Sequence, residues 1–129
     1  MTLAFMLAAA GCASVSEPKC ASDEHRSVSE LLYFGTAKPN GVVTAEDWAG
    51  FLKASVTSRF PQGLTVWPAS GQWQSAEGEI VREASLVLNL LHPDDERSET
   101  AVRAIAAEYK SRFSQDAVLR VKSHACASY

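Results

Sequence analysis

The side chains best suited to chemistry are one carboxylate and two arginines. Arg82 and Glu83 sit side by side in a mostly apolar stretch, and Arg120 lies in the last apolar run. Glu83 as a base with Arg120 as its charge partner is one reading, and a cross-strand ion pair is the other. Trp73, after Gly71 and Gln72, would line a small-molecule pocket beside Glu83 and Arg120, or pack as a loop tryptophan. His25, His92 and His124 are isolated in sequence. His92 precedes Pro93 at a strand end, where a structural or solvated role is expected. His124 and Cys126 can share a strand face, but two ligands alone are a weak metal signal. Asp94, Asp95 and Glu96 suit a cation or, more simply, the start of a helix. No nucleophile elbow, phosphate loop, dinucleotide fingerprint or Cys-x-x-Cys is present. The sequence thus assigns no catalytic residue, metal or cofactor, and enzymatic activity stays open.

The 129 residues suit one domain, with a net charge of −3. That balance argues against a nucleic-acid binder, which needs a basic patch to displace counterions. Residues 79–83 also lack the paired aromatic and basic residues of an RNA-binding sheet. No internal run reaches the roughly 18 apolar residues that mark a membrane span.

Residues 1–10 carry no charge and are apolar, and Gly11 and Cys12 follow. Small residues directly before a Cys resemble the lipobox, in which the signal is cut before the cysteine and the cysteine is lipidated. The reading is a signal peptide over residues 1–11, lipidation at Cys12 and a tether over residues 12–29. The protein would then be a lipoprotein of the cell envelope, held to the membrane by lipid alone. Plain secretion after an Ala-x-Ala cut and a cytosolic chain with an apolar leader are the alternatives. A positive segment ahead of the apolar core is missing, so the signal is atypical or the true start lies upstream. With Cys12 lipidated, Cys20 and Cys126 are left as a disulfide pair or as two thiols.

These residues need a scaffold, and the pattern supplies one. Residues 30–35 read as a buried strand ended by Gly35. Thr44 caps a helix whose apolar face is Trp48, Phe51, Leu52, Val56 and Phe60. Residues 64–67 are a second strand, followed by a turn-rich passage over residues 71–78. Residues 79–92 form a long strand. Ser98 or Asp95 caps a second helix with Val102, Ile105, Ala106, Tyr109 and Phe113 on its apolar face, and residues 117–121 are the fourth strand. Ser58-Arg59-Phe60 recurs fifty-three residues later as Ser111-Arg112-Phe113. The same offset maps Leu52 to Ile105, Val56 to Tyr109 and Val66 to Leu119. Two strand–helix–strand units in tandem give an α+β, ferredoxin-like βαββαβ domain over residues 30–129. Its sheet is a four-stranded antiparallel one with two helices on one face.

The other sheet face would stay open. Setting Leu86, Leu88 and Leu90 against the helices places Glu83, Val87, Asn89 and Leu91 outward. The fifty-three-residue register extends that assignment. It sets Leu32, Phe34, Trp67, Val118 and Arg120 outward as well. So large an apolar patch implies a homodimer interface, a ligand pocket, or cover by residues 71–78 or by the tether.

Leu32 to Gly35, Arg59 to Val66, Gly71 to Trp73, Ile80 to Glu83 and Ala117 to Val121 together resemble a family of small exported bacterial proteins. The family is known as a domain of unknown function, number thirty-five seventy-four. The resemblance spans residues 30–129 and implies an envelope protein, commonly a lipoprotein, with no assigned reaction. It departs at Leu86, where the family pattern carries lysine.

Overall fold

The computed structural model describes residues 19–129; the expected signal peptide and Cys12 lie outside them. Four long strands are present: β1 (His25–Gly35), β4 (Thr65–Gln74), β5 (Ile80–His92) and β6 (Leu119–Ala127). They form one antiparallel sheet in the order β4-β5-β1-β6. Two short strands, β2 (Ala37–Lys38) and β3 (Gly41–Val42), make a small hairpin after β1. Helix α1 (Ala45–Phe51) continues into a π-helical segment, Leu52–Thr57, and α2 (Glu96–Phe113) follows β5. This is the α+β, ferredoxin-like arrangement expected, with β1 and β5 central.

The local signals account for the helix starts. Thr44 accepts the Asp47 amide, and Asp47 accepts the Thr44 amide, which closes a capping box. These bonds hold the Asp47 carboxyl below its ordinary range. Asp95 caps α2 by accepting the Ser98 amide at 2.7 Å. The acids at residues 94–96 therefore start a helix, the simpler of the two expectations.

The helices cover one sheet face. Leu32, Phe34, Leu88 and Leu90 meet Trp48, Phe51, Val56, Val102, Ile105, Tyr109 and Phe113 in one buried cluster. Phe34 and Tyr109 rings stand 4.5 Å apart and tilted. Leu32 and Phe34 therefore face the helices, which corrects their expected outward setting. Val118 packs against the same cluster and Arg120 lies on the same side, so both are corrected too.

One extra residue explains the error at Leu32 and Phe34; the offset also fails past the helices, where Val66 packs on the core and Leu119 is 60% exposed on the open face. Trp48 and Phe51 lie fifty-four residues before their counterparts Val102 and Ile105, whereas Val56 and Phe60 lie fifty-three before Tyr109 and Phe113. The π-helical segment falls between the two sets and absorbs the extra residue. The offset of fifty-three therefore fails upstream of that segment. An odd slip in a strand moves every side chain to the other face. Counted at fifty-four, Leu32 and Phe34 match Leu86 and Leu88, and all four face inward. Leu86 packs partly buried against the core.

Two boundaries also differ. β1 starts at His25, inside the expected tether. β4 runs on to Gln74, so residues 71–74 are strand rather than turn; the turn spans residues 75–79.

Candidate functional site

The open face is built in rows across the sheet. Strand pairing aligns Trp67, Val87, Tyr33 and Leu119 in one row, from β4 to β6. Thr65, Asn89, Leu31 and Val121 form the next. Leu91 lies in the row beyond, beside Ser29 and Ser123. Trp67 is 40% exposed, Leu119 60% and Val121 45%. Val87, at the centre, is buried. Asn89 lies beside it on the same strand, with a buried Oδ1 that has no hydrogen-bond partner. Trp67, Val87, Asn89 and Leu91 thus take the outward setting expected of them.

The polar residues expected to form a pocket do not converge. Glu83 stands beyond the end of β1, where its Oε2 accepts the Ala37 amide at 3.1 Å. A Cβ on Gly35 would meet that carboxylate at 2.9 Å, so the Glu83 side chain would have to shift to admit one. Trp73 lies further out on β4, paired with Val81 and half exposed. Arg120 is on the opposite sheet face, paired with Leu32, and its guanidinium turns to Glu30 and Glu99. Glu83, Arg120 and Trp73 therefore share neither a face nor a cavity. A shallow concavity at Glu83 is lined by Ser70, Gly71, Gln72, Arg82 and Ala84.

Arg120 belongs to a charge network that the sequence did not reveal. Glu30, on β1, is fully buried. Its Oε1 accepts from Arg120 Nε at 2.5 Å, and its Oε2 faces His92 Nε2 at 3.1 Å. His92 Nδ1 donates to the Pro93 carbonyl at 2.8 Å. Arg120 also donates to both Glu99 oxygens, at 3.3 and 3.1 Å. Burial works against the Arg120 charge, but the bonds to Glu99 and Glu30 outweigh it and raise its pKa. Glu99, bonded by Arg120, Arg103 and Lys122, is held down to about 2. Lys122 and His124 continue the network to Asp94. These charges tie α2 to the edge strand β6, a structural arrangement with His92 in the role expected of it. Alternation in β1 placed Glu30 among core residues, and that position was the one available signal.

The structure joins Cys20 and Cys126 in a disulfide. Glu24 lies close to both sulfurs, but the disulfide removes them as metal ligands. No described helix is long and apolar enough to cross a membrane.

Similar solved structures support the fold. A phage SAM lyase in complex with S-methyl-5'-thioadenosine aligns with a TM-score of 0.59 and 17% identity, covering 90% of this chain and 97% of that one. CutA from Synechococcus elongatus aligns with a TM-score of 0.58 and 13% identity, covering 81% and 83%. At such identities the likeness is one of fold alone. No curated protein matches in sequence. The family described as "Protein of unknown function (DUF3574)" matches residues 29–129, and this chain belongs to it.

Proposed function

We propose that this protein is an exported, lipid-anchored interaction module that binds a second copy of itself through the open sheet face. The observation that carries the reading is the row of Trp67, Val87, Tyr33 and Leu119 across all four strands, its two ends well exposed. Four strands spaced about 4.8 Å and about nine residues long present roughly 600 Å² in projection. That is close to the roughly 800 Å² each partner contributes to a stable complex. The face offers apolar side chains and one unbonded amide oxygen, and no cluster of catalytic groups. The Cys20–Cys126 disulfide supports an oxidising compartment and hence export.

Trp67→Glu places a charge at one end of the proposed interface, on the edge strand β4. Light scattering should show wild type as a homodimer and the variant as a monomer. A wild-type monomer contradicts the reading. The anchor rests on Cys12, and intact mass after expression with the native leader tests it. The expected species begins at a lipidated Cys12; one that retains Met1, or carries an unmodified Cys12, removes the lipoprotein reading.

A further inference from the structure

β4 and β5 run past the sheet they belong to. β1 pairs with β5 only as far as Gly35 opposite Ser85. β4 and β5 stay in unbroken register from there to Gln74 opposite Ile80. Five residue pairs thus project as a two-stranded arm. Such ribbons are marginal alone in water. This one also exposes large apolar side chains on both faces: Trp73 is 50% exposed and Ile80 51%.

The arm has an unpaired edge. The last bonds between the β1 end and β5 run from the Thr36 amide and hydroxyl to the Ala84 carbonyl. The Ala37 amide then goes to the Glu83 side chain instead of the β5 backbone. Among the described residues, no strand pairs with β5 on the β1 side from Ile80 to Arg82. Two other long edges exist among the described strands. The outer edge of β4 contains Pro68, which lacks an amide donor and interrupts a ladder. The outer edge of β6 contains no proline.

We propose that the β4–β5 arm of one copy adds, through its free β5 edge, to the β6 edge of a second copy. This rests on the self-association proposed above and specifies how the copies join. Backbone pairing along Ile80–Arg82 extends one sheet into the next. Ile80, on the paired edge, then gains a cross-strand neighbour. Ile80 alternates to the face opposite Trp67, so a contact through the open face alone would not involve it.

Hydrogen exchange of the full-length chain, compared at high and low protein concentration, tests the pairing. The amides of residues 80–82 and 119–125 should gain protection together as copies associate. Ile80→Lys should weaken association at least about tenfold. If the chain associates, and Trp67→Glu disrupts it, while both segments exchange freely and Ile80→Lys has no effect, the arm pairing is overturned and the open-face reading stands. A chain that stays monomeric at all concentrations overturns both.

Discussion

The two faces of β5 have different fates. On one, Leu86, Leu88, Leu90 and His92 meet helices, and the polar groups there are bonded: the neighbouring Glu30 holds both Arg120 and His92. On the other, Ser85 and Val87 are buried, and the Oδ1 of Asn89 has no hydrogen-bond partner. A strand that is apolar on both sides reads as one built to be covered on both sides. Its own chain covers one. An unbonded buried oxygen costs free energy comparable to a lost hydrogen bond, so the open side is the one that gains from a partner.

The largest contrast between the faces should appear in subunit stability. Phe34→Ala empties the centre of the helix-facing core and should cost about 3–5 kcal/mol. Glu30→Gln leaves Arg120 and His92 without their shared carboxylate and should cost a similar amount. Urea unfolding measures both. A loss below about 1 kcal/mol for either would mean that the helix side is not the rigid one.

A smaller effect concerns acid. Glu99 has its pKa lowered from 4.5 to about 2. A lowered pKa gives stability that is present above the ordinary value and lost as pH falls through the folded one. Unfolding midpoints of wild type should therefore decline between pH 4.5 and 2. Glu99→Gln should flatten that decline while leaving the open face unaltered. An unchanged slope in the variant would remove Glu99 from the network that ties α2 to β6.

How far this was legible in the sequence follows from particular residues. The order of elements, both helix caps and the central strands were readable because each rests on local signals: Thr44, Asp95, the leucines of β5. The sequence offered Cys20 and Cys126 as a disulfide or as two thiols once Cys12 was set aside, and the structure joins them. The facing of Leu32 and Phe34 was misread because it was carried through a repeat, and the π-helical segment hides one extra residue inside that repeat. The apolar face of α1 shows the insertion as a five-residue step from Phe51 to Val56 where α2 has four. The Glu30–Arg120 pair was not legible, since ninety residues separate the partners and only the sheet register brings them together.

The central claim is that the open face binds a second copy, and light scattering on wild type and Trp67→Glu measures it most directly. The account predicts a wild-type homodimer, a monomeric variant, and an unfolding midpoint of the variant subunit that matches wild type at concentrations where wild type has dissociated. A wild-type chain that remains monomeric, or a variant that still dimerises, would contradict it.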